Sequence, residues 1–238
     1  MLRKFSAALL LAIALAAQAA DSGEAAIRQA FQAKLPEMAV ESVAKSPMPG
    51  LYEVVASGFI FYVDEKVNFV IRGTLFDART PAMRNVTSAR NAELNAQVLV
   101  KSTDNAIKRV RGNGKRVIYT FEDPNCGYCK RQQQELLKLN DVTIYTFLWP
   151  ILSPDSIEKS KVVWCSKDRA KAWDDLMTRG VMPQGEAKCD TPLDKNMELA
   201  RRFGAQGTPA IFIADGRMLG GYVTADKIEE AFRLPAPK

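Results

Sequence analysis

The 238-residue sequence contains no histidine, and that absence removes more chemistry than any other feature of its composition. Without an imidazole there is no Ser-His or Cys-His nucleophile pair and no histidine ligand for a metal. Thiols are scarce too, with four cysteines in all. No low-complexity tract interrupts the chain, and its 47% hydrophobic and 25% charged residues are ordinary for globular domains. The formal charge of +6 comes with no dense basic run and no basic-aromatic patch, which argues against a nucleic-acid partner. Beyond the first twenty residues, no apolar stretch approaches the roughly 20 residues that a membrane-spanning helix needs.

Those first residues have the pattern of an export signal. Arg3 and Lys4 precede an unbroken apolar run from Ala7 to Ala17, and Ala17-Gln18-Ala19 supplies small residues for cleavage. The run is too short to stay as an anchor, so residues 1–20 read as a signal peptide cleaved near Ala19/Ala20. Losing Arg3 and Lys4 leaves 31 basic residues against 27 acidic, a charge of +4. Export allows disulfides to persist. The even set Cys126, Cys129, Cys165 and Cys189 favours pairing and permits three connectivities.

Two regions of different texture follow. Ser22 to Leu35 spaces Ile27, Phe31 and Leu35 as one face of a helix, with Ser22 as a cap. Strand patterns occupy 41–45, 51–55, 59–63 and 67–76, divided by Pro47-Met48-Pro49-Gly50, Ser57-Gly58 and Asp64-Glu65-Lys66. This is a small α+β domain, residues 21–80, whose exposed edges would gain from pairing with a second copy. Thr80-Pro81 then opens a connector helix, 81–96, with a narrow stripe of Met83, Val86 and Leu94. From 97 to 238 the expected order is a short strand at 97–101, a basic connection at 105–116, a strand at 117–121, a helix to about 140, and a strand at 142–148. Helices from Ser153 to Phe203, a strand from Ala210, an Asp215-Gly216 turn, a strand at 218–223 and a last helix at 225–232 complete it. Strand, helix, strand, helices, hairpin and helix is a thioredoxin-like α/β order with a helical insertion.

Cys126-Gly127-Tyr128-Cys129 falls where the central strand gives way to a helix. Amides at a helix start stabilise a thiolate, so Cys126 should ionise below the free value of about 8.5. Cys129, one turn further on, can then close a disulfide with it. A zinc site would need a second close pair, but Cys165 and Cys189 are far apart in sequence. A haem attachment would need histidine where Lys130 stands. Redox chemistry is the reading that fits. Cys165 and Cys189 read as a structural disulfide within the insertion, whose loop of about 25 residues is worth about 3 to 4 kcal/mol.

Taken together, Phe121 to Cys129, Trp164-Cys165 with Cys189-Asp190, and Gly207-Thr208-Pro209-Ala210 resemble the DsbC/DsbG family of periplasmic disulfide isomerases. Gly50-Leu51-Tyr52-Glu53-Val54, residues 68–77 and Asn85-Val86-Thr87 extend the resemblance through the front half. It implies a homodimer joined through the N-terminal domains, each chain carrying a thioredoxin-like domain and no cofactor. It assigns Cys126 as the attacking thiol and Cys129 as the resolving thiol. Gly127, Tyr128 and a Thr208-cis-Pro209 loop would meet the substrate. Misfolded disulfide-containing exported proteins would be the substrates, and a membrane reductase of the DsbD type would keep the pair reduced. The Gly-Tyr dipeptide is that of the isomerases, whereas the DsbG branch usually carries Pro-Tyr. A DsbG-like sulfenic-acid reductase and a chaperone without redox chemistry are the competing functions. Lys130-Arg131 replaces a His-Lys pattern of the family. Thr120 stands six residues before Cys126, where thioredoxin has a buried acid, which leaves Glu122 or water to relay the Cys129 proton.

Overall fold

The computed structural model describes residues 23–79 and 81–236. The signal-peptide reading of residues 1–20 and the proposed caps Ser22 and Thr80 lie outside them. The chain divides into two compact units, at Leu75 and Phe76.

In the first unit, helix α1 (23–34) buries Ile27 and Phe31 against an antiparallel sheet of β1 (Val40–Lys45), β2 (Leu51–Ala56), β3 (Phe59–Asp64) and β4 (Val70–Ile71), in that spatial order. Phe31 meets Phe61 at 5.4 Å between ring centroids, over Val54, Val63 and Val67. Ser57 and Gly58 both have positive φ, at 49° and 82°, as a two-residue hairpin between twisted strands requires. The long strand expected over 67–76 is not formed. The Asp64 carboxylate accepts from the amide of Phe69 at 2.7 Å and from Asn68, and Val67 turns to φ 53°. That closed turn holds the chain off the sheet until Val70.

The second unit opens with β5 (Phe76–Asp77) paired to β6 (Arg84–Asn85). Helix α2 (Val86–Lys101) follows, capped by Asn85, whose side chain accepts from the Ser88 amide at 2.8 Å. Residues 97–101 are therefore the last turns of a helix and not a strand. Leu99 is fully buried and Val100 is 60% exposed, so one residue of this apolar run faces inward rather than alternate ones. The basic connection expected over 105–116 contains a further strand, β7 (Ile107–Arg111), paired antiparallel to β9 (Val142–Leu148).

Strand β8 (Arg116–Glu122), helix α3 (Gly127–Leu136) and β9 form a βαβ crossover with β8 and β9 parallel. Helices α4 (Pro154–Cys165), α5 (Arg169–Arg179) and α6 (Leu193–Arg202) come next. Strand β10 (Ala210–Ile213) then returns antiparallel to β8 and turns into β11 (Met218–Gly220), shorter than the expected 218–223. Helix α7 (Ala225–Arg233) ends the fold. The sheet order is β11-β10-β8-β9-β7, a thioredoxin-like arrangement with α4 and α5 inserted.

Side chains of β8 alternate between its two faces, as in any strand. Tyr119 and Phe121 join Phe147, Phe203 and Phe212 on one side, with Phe121 and Phe147 stacked at 4.6 Å. Ile118 joins Leu136 of α3 and Ile228 of α7 on the other. Glu122 has the parity of Ile118 and Thr120, which places it on the α3 side. The inserted helices supply Trp164, Trp173, Leu176 and Met177 to a third cluster that contains both Cys126 and Cys129.

Helix α2 rests on the Asp215-Gly216 turn. Gly216 has φ 80°, and a Cβ there would lie 1.9 Å from the Ala92 carbonyl oxygen and 2.5 Å from the Ala96 amide. Gly216→Ala is expected to cost about 2 kcal/mol or more in urea unfolding. A change under about 0.5 kcal/mol would show that the turn does not seat the helix.

Candidate active site

Just after strand β8 a buried carboxylate sets the approach to α3. Asp123 accepts from the amides of Asn125 at 2.7 Å, Ile151 at 2.8 Å and Leu152 at 2.9 Å, and from the Ser156 hydroxyl at 2.8 Å. Its own carbonyl accepts from the Cys126 amide at 3.1 Å. Asn125 adds bonds to Ser153, Asp155 and Ser156 at the start of α4 and accepts from Lys159. These bonds join the ends of β8 and β9 and the first turn of α4, and they fix where α3 begins.

Cys126 is the N-cap of α3, and its sulfur accepts from the Cys129 amide at 3.3 Å. A cap normally satisfies an orphan helix amide with oxygen. Here a thiol does so, and the bond strengthens when the thiol ionises. Hydrogen bonding from the Cys129 side chain, opposed by partial burial and assisted by Thr208 and the Cys129 and Tyr128 amides, lowers the Cys126 pKa to about 5. Cys129 goes the other way. It is fully buried, and burial first, then Cys126 and Glu122, push its thiol far above the usual range. Both are free thiols in this structure. At neutral pH the pair is thus one thiolate, 6% exposed beside Thr208, and one protonated thiol that is fully buried.

On the other side of Cys126 lies the loop before β10. The Thr208–Pro209 peptide is cis, and the Cys126 thiol donates to the Thr208 carbonyl at 3.3 Å. Gly127 and Tyr128 are exposed between the two cysteines, Tyr128 at 59%. A groove of about 510 Å³ runs from Tyr128 past Gly207, Thr208 and Pro209 to Met218 and Tyr222. The Tyr128 and Tyr222 rings lie 6.4 Å apart, and the Arg131 guanidinium sits within 5.7 Å of each. Among the residues singled out in the sequence, Cys126, Cys129, Gly127, Tyr128, Thr208 and Pro209 meet at this one place.

Cys165 and Cys189 are bonded to each other, 24 residues apart in sequence and 5.6 Å between Cα atoms. They join the end of α4 to the segment that leads into α6. Trp164 donates its indole N–H to the Asp190 carbonyl at 3.2 Å, and the Arg169 guanidinium lies 3.8 Å from the Trp164 ring.

Sequence reasoning missed four contributors. Tyr222 and Met218 lie about ninety residues beyond the motif and reach it only through the hairpin. Asp123 enters the sequence reading only within the stretch Phe121 to Cys129, and four convergent donors cannot be seen in a linear string. Arg109 lay in what read as a loop, yet it donates to Gln133 and Asp174, both at 2.6 Å, and to Thr146 at 2.9 Å.

Comparison with known proteins supplies the context. Residues 18–88 match the model of the disulfide bond isomerase protein N-terminal domain, and residues 103–234 match a thioredoxin-like domain. The chain is 42% identical over 214 residues to the probable thiol:disulfide interchange protein DsbC of Bordetella pertussis, covering 90% of this chain and 75% of that one. It is 32% identical over 232 residues to the thiol:disulfide interchange protein DsbC of Salmonella typhimurium, covering 93% and 92%. Among solved structures, a disulfide interchange protein from Neisseria gonorrhoeae is 45% identical with a TM-score of 0.53, covering 56% of this chain and 96% of that one.

Three outcomes test this site. The rate of Cys126 alkylation should follow a titration centred at about pH 5, against about 8.5 for a free thiol, and Cys129→Ala should move it upward. A midpoint above pH 8 would refute the capping account. Because the folded pKa lies below the unfolded one, the reduced protein should gain stability as pH rises from about 5 towards the unfolded value, and lose it as pH falls through that range. Replacing Cys165 and Cys189 together by alanine should cost about 3 kcal/mol of stability and leave the Cys126 titration where it was. A shifted titration would mean that the disulfide helps to hold the site.

Proposed function

The chain belongs to the DsbC family of thiol:disulfide interchange proteins, and on that premise we propose that it is a protein disulfide isomerase and reductase of the periplasm. It acts on incorrectly paired, exported proteins. The observation that carries this reading is the asymmetric dithiol: a Cys126 thiolate capping α3 at the edge of a groove, above a buried, protonated Cys129.

The reaction begins with both cysteines reduced. The Cys126 thiolate attacks one sulfur of a substrate disulfide; a Cys126–substrate disulfide forms, the substrate S–S bond breaks, and the second substrate sulfur leaves as a thiolate. That thiolate attacks another disulfide of the same chain, and a later attack on the mixed disulfide expels Cys126. Electrons balance without any external oxidant. If the substrate stalls, Cys129 attacks Cys126 instead, the substrate leaves reduced, and the enzyme is left oxidised. Return to the working state then needs a dithiol reductant, the role of a membrane reductase of the DsbD type.

In this reading Gly127, Tyr128, Thr208 and Pro209 contact the substrate chain. The Thr208 carbonyl is beside the reacting sulfur, and Tyr128 is exposed. The groove is open and lined by small and aromatic residues, which suits a polypeptide of varied sequence rather than one fixed ligand. Residues 1–20 serve as the export signal, cleaved near Ala19/Ala20. The N-terminal domain, 21–80, joins two copies. Val70 and Ile71 on the edge strand β4, with Phe69 just before it, support that role, since they are exposed and the outer side of β4 has no partner strand among the described residues.

The test is reactivation of a scrambled multi-disulfide protein. Wild type should restore its activity, and Cys126→Ala should fall to the uncatalysed rate. Equal rates would remove the enzymatic reading and leave a chaperone.

A further inference from the structure

The groove beside Cys126 ends in an aromatic wall that the reaction as written does not use. One side of the wall, Tyr222, stands on the connection from β11 to α7, which α3 fixes in place. Gln132 donates from Nε2 to the Val223 carbonyl at 2.9 Å and accepts at Oε1 from the Val223 amide at 2.8 Å. Glu135, one turn further along α3, accepts from the Ala225 amide at 2.9 Å and from the Tyr222 hydroxyl at 3.3 Å. Gln132 and Glu135 are both buried, so water competes little for these bonds. Tyr222 itself stays 38% exposed beside the more exposed Tyr128. Their rings, with centroids 6.4 Å apart and tilted by 50°, are in contact with each other. They therefore present one surface to the groove and not a slot.

Arg131 completes that surface. It follows Tyr128 by one helical turn, the spacing at which side chains on a helix meet. Its guanidinium lies 5.6 Å from the Tyr128 ring and 5.7 Å from the Tyr222 ring, within cation–π range of both. Arg131 is exposed and forms no ion pair among the described residues. Glu135, one turn on, does not neutralise it. Lys138 first, then the Ala225 amide, hold that carboxyl below the usual carboxylate range. The residues that line the groove are all uncharged, so Arg131 is a lone formal charge set against its aromatic end.

We propose that Arg131 and Tyr222, together with Tyr128, select substrate segments that carry an acidic side chain close to the attacked cysteine. The inference rests on the reading of Cys126 as the attacking thiol and of the groove as the path of the substrate chain. The groove passes Thr208, whose carbonyl is 3.3 Å from the Cys126 sulfur. A chain laid along it with its cysteine at Cys126 thus brings neighbouring residues to the wall. The stem of a glutamate packs on the two rings, and its carboxylate accepts from the guanidinium fork. The rings orient that fork before substrate arrives, which reduces the entropy lost on binding. A lysine at the same place meets a like charge and is disfavoured.

Peptides whose single cysteine is a 2-pyridyl disulfide test the selection, with glutamate, glutamine or lysine placed in turn at positions on either side. The Cys129→Ala protein is used, so the reaction stops after one exchange. Cys126 attacks the peptide sulfur, the Cys126–peptide bond forms, and the pyridyl sulfur leaves as thiopyridone, whose release gives the rate. For at least one position the glutamate peptide should react about fivefold or more faster than the lysine peptide at low salt. The ratio should fall towards one in about 0.5 M sodium chloride. Because it compares peptides on one protein, a changed Cys126 pKa cancels. Arg131→Gln should bring the ratio within about twofold of one, and Tyr222→Ala should lower it at least about twofold. Lys130→Gln removes the same charge from a neighbour that lies over neither ring and should leave the ratio as it was. Equal glutamate and lysine rates at every position would overturn the selection. So would a ratio unchanged by Arg131→Gln or Tyr222→Ala, or one lost equally in Lys130→Gln. Mass spectrometry that finds no peptide on Cys126 would instead overturn the thiol assignment on which the inference rests.

Discussion

The interaction on which the rest depends is the bond between the Cys126 sulfur and the amides that open α3. A helix start offers several N–H groups with no partner inside the helix. Placing sulfur where a cap oxygen would sit turns that unmet need into a preference for the thiolate. The preference has force only if the turn before the helix cannot shift. Asp123 supplies that constraint through four hydrogen bonds to two amides of the segment after β9, one of its own turn, and α4. The aromatic stack of Phe121 on Phe147 holds β8 and β9 in register directly behind it.

The second sulfur is treated in the opposite way. Cys129 sits in a cluster with Trp164, Trp173, Leu176 and Met177, which belong to the inserted helices. The insertion is thus a cover over the buried thiol. The disulfide from Cys165 to Cys189 ties down the far end of that cover. One thiol ionised and slightly exposed, the other neutral and fully buried, is what an enzyme needs if it must attack first and release later.

Parts of this were legible in the sequence because they depend on neighbours. The C-x-x-C after Val117 to Phe121 announced a strand-to-helix junction, and Ile27 with Phe31 announced one face of α1. Export and an even thiol count favoured pairing, and reading Cys126-Cys129 as a redox pair left Cys165 to bond Cys189. What escaped was decided at a distance. Ile107 to Arg111 looked like a basic loop because Lys108, Arg109 and Arg111 hide its alternation, yet β9 recruits it as an edge strand. Residues 97–101 carry strand-like composition but are helical, since only Leu99 is fully buried. Val67 to Phe76 was interrupted by the Asp64 side chain, a contact that no periodicity can reveal. The link from Glu122 through Gln133 and Arg109 to Asp174 joins four elements and has no signature in any one of them.

The central claim is that Cys126 makes the first covalent bond to substrate and Cys129 makes the second. Mass spectrometry of acid-quenched mixtures with a disulfide-containing peptide tests it most directly. Cys129→Ala should accumulate the peptide as an adduct on Cys126, and Cys126→Ala should accumulate none. An adduct on Cys129 in Cys126→Ala, or an absence of adduct in both variants, would contradict the account.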